Sequence, residues 1–176
     1  IKESSGDKKL NTNLTLGQAR INSKEVKKND IFFAIRGRKN DGNKFVEEAL
    51  KKKASIVVVN KVKKKLDYKK QIKVIDSLKF LTETSTIFRE NIDAKIIAIT
   101  GSCGKTTLKE LLGKTLKKIS KTTISPKSYN NKYGVPLSLF NLSKNDNYGV
   151  LEVGMDKKGE IDYLSKIIKP DISVIT

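Results

Sequence analysis

KIIAITGSCGKTTLKELLGKTLKKI, residues 95–119, is the stretch on which the fold turns. The apolar run 96–99 reads as a buried strand. Behind it Leu108, Leu111, Leu112, Leu116 and Ile119 recur at helical spacing, and between the two lies a turn holding two glycines. Strand, tight loop and helix in this order form a phosphate-binding unit. Gly101 and Gly104 let the backbone bend so that successive N–H groups converge on phosphate oxygens, and the helix N-terminus adds its partial positive charge. Lys105 then reaches the terminal phosphates, and Thr106 has the hydroxyl needed to ligate Mg²⁺. The nucleotide-binding residues expected are Gly101, Ser102, Cys103, Gly104, Lys105, Thr106 and Thr107. The general pattern wants a further glycine five positions before Gly104, where Ile99 stands, so this is a shortened loop. A plain glycine-rich helix cap is the bland alternative. A cysteine at a helix N-terminus can be an activated thiolate, but the chain has no His and no other evident base. Cys103 is read as a small loop-filling residue.

Outward from the loop, short apolar runs alternate with amphipathic stretches, which makes the class α/β with parallel sheets. Strands are predicted at 30–35, 56–59, 72–75, 95–100, 148–153 and 172–175, and helices at 45–54, 77–90, 108–119 and 161–168. Asp76 or Ser77 is available to cap the second helix. The lysine runs 51–53 and 63–65 read as a solvated helix end and a loop. Two domains are expected: residues 1–92, a small N-terminal α/β substrate domain, and residues 93–176, an incomplete P-loop parallel-sheet ATPase domain.

Composition narrows the function. No apolar run approaches the roughly 18–20 residues of a membrane span, and the start has no signal-peptide pattern, so the expectation is a cytoplasmic protein. With no His and one Cys, zinc sites and His-based triads are excluded, leaving hard, oxygen-bound metals. Lys and Arg number 37 against 19 Asp and Glu, a net charge of +18. That charge suggests a basic nucleic-acid module. However, the arginines are Arg20, Arg36, Arg38 and Arg89, the lysines are spread along the whole chain, and aromatics make up 6 %. Forked donors and stacking rings, which read phosphates and bases, are scarce. No nucleic-acid partner is expected.

Three separated strings resemble the Mur ligases. They are ITGSCGKTTLKE (99–110), YNNKYGVPLSLFNL (129–142) with VLEVGMDKKGEIDYLSKIIKPDISVIT (150–176), and INSKEVKKNDIFFAIRGRKNDGNKFVEEALKKKASIVVV (21–59). The strings around the loop narrow the resemblance to the branch that adds D-alanyl-D-alanine to a UDP-N-acetylmuramoyl-tripeptide in peptidoglycan synthesis. It implies an ATP- and Mg²⁺-dependent ligase, a monomer, that phosphorylates a carboxylate and lets an amine attack the acyl phosphate. That step depends mainly on positioning and charge neutralisation.

On this resemblance Lys105 neutralises charge on the bridging oxygen, Thr106 and Glu152 hold Mg²⁺, and Asn130 or Asn131 stands beside the γ-phosphate. Glu152 also ends an apolar run where a parallel strand delivers ligands, its alternative being a carboxylate paired with lysine. The asparagines could instead simply form a turn, and Glu160 reads as a helix first-turn acid. At the N-terminal side the family shows Asp-Ser-Arg where this chain has Asn22-Ser23-Lys24, and Asp-Gly-His where it has Asp41-Gly42-Asn43. Ser23 and Lys24 are expected at the uridine nucleotide, with Lys24 a point charge in place of a fork. Asn43 removes a ring with no visible replacement.

The family's second-metal His and carbamylated Lys, adenine pocket and dipeptide-binding domain lie beyond the strand that ends at Thr176. The 176 residues are therefore expected to be a fragment that does not turn over ATP by itself. The alternatives are a sibling Mur or folylpolyglutamate-type ligase, against which NNKYGVPLSL and EVGMDKKGEI speak, and a P-loop kinase, which needs the longer loop.

Overall fold

The structure, a computed structural model, describes residues 16–37 and 40–176. It divides into two compact units, residues 1–84 and 85–176. The division falls inside a helix, eight residues before the expected boundary after residue 92.

The first unit is a four-stranded parallel sheet in the order β1 (Ala19–Arg20), β2 (Ile31–Phe33), β3 (Ile56–Val59), β4 (Gln71–Lys73). Helix α1 (Val46–Lys51) connects β2 to β3. The β-branched run Ile56–Val59 is buried at every position, as a strand covered on both faces must be. One face packs Phe32, Val57 and Val59 on Val46 and Ala49 of α1. On the other, Phe33 meets Phe80 with ring centroids 6.4 Å apart. The predicted strand 72–75 forms one residue earlier, and Ile75 is fully exposed. Asp76 is the cap of helix α2 (Ser77–Glu90): its Oδ1 accepts from the amides of Leu78 at 2.8 Å and Lys79 at 3.0 Å.

Asp30 ties the edge of this sheet together. Its carboxylate, side chain 6 % exposed, accepts from the Gln18 amide at 2.9 Å, the Lys27 amide at 2.9 Å and Arg20 Nε at 3.0 Å. Removing it leaves a partly buried cation and two amides without that acceptor. Asp30→Ala is therefore expected to cost about 2–4 kcal/mol. Faster hydrogen exchange at Ile31 and Phe33 is the measurement, and unchanged exchange there would contradict it.

The second unit is a parallel sheet in the order β6 (Thr122–Ile124), β7 (Tyr148–Glu152), β5 (Lys95–Thr100), β8 (Ile172–Ile175). Alternation along β5 builds two cores. Ile96 and Ala98 face Val135, Leu139, Leu164 and Ile168, whereas Ile97 and Ile99 face Leu108, Leu112 and Leu116 of α3 (Lys105–Lys117). Three of the named elements escaped the sequence reading, the first being the two-residue strand β1 of the other unit. Strand β6 has only three residues. Helix α4 (Gly134–Phe140) lies where no element was predicted, and it is buried from Gly134 to Leu139, so no polar face reveals its period. Pro136 sits in its first turn, where its missing N–H costs nothing. Helix α5 (Glu160–Ile168) follows β7 as predicted.

Asp171 fastens β8 to β5. Its carboxylate accepts from the Ile96 amide at 2.9 Å and pairs with Lys95 and Arg89, each at 2.9 Å. The Ile96 amide first, then Lys95, hold its pKa below the ordinary 3.8. A depressed carboxylate contributes stability that is complete above the unfolded value and lost as pH falls through the folded one. The melting-temperature advantage of the native chain over Asp171→Asn is thus expected to be full at neutral pH and to shrink below about pH 4. A constant difference down to pH 2 would contradict this.

Candidate functional site

The loop closes over the carboxyl end of β5. Gly101 has φ 135°, and a Cβ there would lie 2.3 Å from the Thr176 carbonyl oxygen, so only glycine fits. Gly104, φ 78°, occupies the left-handed region at the N-cap of α3. Among the described residues no side chain caps this helix, whose first amides face the loop. Lys105 Nζ donates to the Gly101 carbonyl at 2.6 Å. Ser102, Cys103, Thr106 and Thr107 are exposed, and the Thr176 hydroxyl donates to the Cys103 carbonyl.

Parallel register sets Glu152 beside Ile99, at the carboxyl end of the neighbouring strand. Its side chain is only 2 % exposed. Thr106 Oγ1 donates to Glu152 Oε2 at 2.8 Å, and Asn130 Nδ2 donates to Oε1 at 3.0 Å. The backbone is fixed as well: the Glu152 amide donates to Ser125 Oγ at 3.2 Å, and the Gly154 amide donates to the Asn130 carbonyl at 2.6 Å.

The two asparagines separate in space. Asn130 lies on Glu152, while Asn131 Oδ1 accepts from the amides of Tyr133 at 3.0 Å and Gly134 at 3.1 Å and so caps α4. Glu160 Oε2 accepts from the Asp156 amide at 3.0 Å, at the start of α5.

Lys109 was missed by the sequence reading. It is buried on α3 with Nζ 3.5 Å from Glu152 Oε2, and it donates to the Lys127 carbonyl. Its place one turn beyond Thr106 was the available signal. Among the described residues no three His, Cys, Asp or Glu side chains are grouped so that they could hold a metal ion by themselves. The hydroxyl and carboxylate of Thr106 and Glu152 nevertheless suit magnesium, which takes one or two protein oxygens and completes its shell with waters and phosphates.

In the first unit, Ser23 is buried, and its hydroxyl donates to Glu48 Oε2 at 2.8 Å. That hydroxyl, then Lys52, keeps the Glu48 carboxyl below its usual range. Lys24 is exposed. A cleft of about 350 Å³ lies past the carboxyl ends of β2, β3 and β4, lined by residues that include Arg36, Asp41, Asn43, Asn60 and Asp76; its lining does not include Ser23 or Lys24. Asn43 is not idle: its Nδ2 donates to Asp41 at 2.7 Å, and its Oδ1 accepts from the Asn60 amide at 3.1 Å.

A glycine-bent loop between a central parallel strand and a helix, with a carboxylate at the next strand's carboxyl end, defines a P-loop α/β protein. Residues 99–176 match the Mur ligase middle domain, and residues 18–89 match the Mur ligase family, catalytic domain. UDP-N-acetylmuramoyl-tripeptide–D-alanyl-D-alanine ligase from Buchnera aphidicola subsp. Acyrthosiphon pisum is 39 % identical over 163 residues, covering 92 % of this chain and 35 % of that protein. A MurF crystal structure from Acinetobacter baumannii superimposes with TM-score 0.82 at 32 % identity, covering 99 % of this chain and 38 % of the other. MurF ligase from Thermotoga maritima in complex with ADP gives TM-score 0.75 at 33 % identity, covering 94 % and 38 %. The chain belongs to the Mur ligase family. It spans about a third of the length of the curated relatives it matches.

Proposed function

We infer that the chain contributes the nucleotide-handling units of an ATP-dependent ligase that adds D-alanyl-D-alanine to a UDP-N-acetylmuramoyl-tripeptide through an acyl phosphate. The enzyme works as a cytoplasmic monomer in peptidoglycan synthesis. Residues 93–176 bind ATP, and residues 1–92 hold the uridine nucleotide. The observation that carries this is Glu152, a buried carboxylate held between the Thr106 hydroxyl and the Asn130 amide beside the loop.

Gly101–Thr107 supply amides to the phosphates, and Lys105 leaves the Gly101 carbonyl to neutralise the terminal phosphates. Thr106 and Glu152 hold Mg²⁺, which when bound neutralises phosphate charge. Asn130 orients Glu152, while Asn131 acts by setting the start of α4. In the first unit the exposed Lys24 and the cleft past β2–β4 receive the uridine nucleotide, and Ser23 anchors the turn that presents Lys24. Absence of a membrane-crossing helix among the described residues is compatible with this location.

Calorimetric titration with ADP tests the nucleotide half. Binding is expected with Mg²⁺ and is expected to weaken sharply when the metal is chelated. Metal-independent binding of equal strength overturns the metal assignment. For the substrate half, phosphate release by the enzyme that carries these units is expected to require both the tripeptide and D-alanyl-D-alanine. Release driven equally by single amino acids or by glutamate favours a sibling ligase.

A further inference from the structure

Lys109 is a charge in an expensive place. Its side chain is 0 % exposed, on the helix that carries the loop lysine and threonine, and Glu152 beside it is 2 % exposed. Burying an ammonium requires a partner that compensates its lost hydration. The partners present are the Lys127 carbonyl, Glu152 Oε2 at 3.5 Å and, at the rim, Glu110 Oε1 at 3.7 Å. An apolar residue at this position would extend the face formed by Leu108 and Leu112 without that cost, so the charge calls for an account beyond packing. The oxygen that Lys109 faces is the one to which Thr106 donates at 2.8 Å.

We propose that Lys109 is a fixed counter-ion that keeps the Thr106–Glu152 site closed to free divalent metal and opens it only to metal accompanied by nucleotide phosphates. The proposal rests on the metal role of Thr106 and Glu152 given above. A divalent ion on Glu152 Oε2 would stand next to an ammonium tethered by the Lys127 carbonyl, in surroundings where water screens poorly. Lys109 already offsets much of the Glu152 charge, with Glu110 contributing only from the rim. Metal alone is therefore held far more weakly than the carboxylate by itself would hold it. The several negative charges of a nucleotide's phosphates reverse the balance, and metal and nucleotide enter together. Lys109 is on this account a positioning residue: it touches the metal ligand, not the reacting atoms.

Mn²⁺ binding to the nucleotide-free chain, read by electron paramagnetic resonance, tests this without recourse to activity. Lys109→Gln keeps a donor for the Lys127 carbonyl and removes the charge; Lys109→Met removes both and serves as a second neutral variant. In either, free Mn²⁺ is expected to bind about tenfold or more tightly than in the native chain. Lys109→Arg, which keeps the charge, is expected to behave as native. A purely structural lysine would leave Mn²⁺ affinity unchanged or lower it, and that result in the neutral variants overturns the proposal. Glu152→Gln separates the two ideas. With ADP present, and in the Lys109→Met background where no charge is stranded, it is expected to abolish the protein-bound Mn²⁺ signal, leaving only the metal that ADP chelates in solution; a retained protein-bound signal refutes the metal role itself, and the Lys109 proposal falls with it.

Discussion

Lys105→Met is expected to weaken binding of magnesium ADP to the chain by about 100-fold or more, the usual consequence of removing one member of a desolvated, hydrogen-bonded charge pair. The structure makes the expectation specific, because the ammonium is already inside the loop, 2.6 Å from the Gly101 carbonyl. A phosphate entering the loop exchanges a neutral acceptor for a charged one, which strengthens the hydrogen bond. Stability gives an independent readout. Lys105 is partly exposed, and its described hydrogen bond goes to a neutral carbonyl of the loop itself. The variant is thus expected to melt near the native temperature while losing the ligand. Calorimetric titration paired with a thermal melt checks both, and binding within a small factor of native would remove Lys105 from the site.

Glu152→Ala has the second large effect, and it acts first on folding. Four groups converge on this residue: Thr106, Asn130 and Lys109 on the carboxylate, and Ser125 on its amide. Truncation leaves the Lys109 ammonium buried with no carboxylate beside it except Glu110 at the rim. Breaking a buried pair from one side costs about 3–5 kcal/mol, much of it the penalty on the charge left behind. Scanning calorimetry of the chain is expected to show the loss. Neutralising both partners together, Lys109→Met with Glu152→Gln, is expected to recover most of it, since no charge is then stranded. A double variant as unstable as Glu152→Ala would show that the penalty comes from packing.

Strands β2, β3, β5 and β7 were legible because parallel strands buried between covering layers appear as continuous apolar runs, and β5 with the loop behind it could be read without any fold in view. The loop's glycines and lysine were legible for a related reason: local backbone geometry and short reach are properties of adjacent residues. Helix α4 was not legible, since a helix buried on all sides shows no periodicity. Strand β6 was too short to stand out, and its pairing with β7 supplies what its own three residues lack. At the N-terminal side, Ser23 looked like a ligand-facing hydroxyl, but a contact across 25 positions gives it to Glu48.

The order of the residues fixed everything that depends on near neighbours: the alternation of strand and helix, the turn at Gly101 and Gly104, and the lysine and threonine that open α3. Parallel register alone brought Glu152 within reach of Thr106, 46 positions away, and decided that Asn130 meets that carboxylate while Asn131 caps a helix. The same packing turned Lys109 inward. Such choices belong to tertiary structure because a buried charge can be tolerated only where residues distant along the chain arrive together to compensate it.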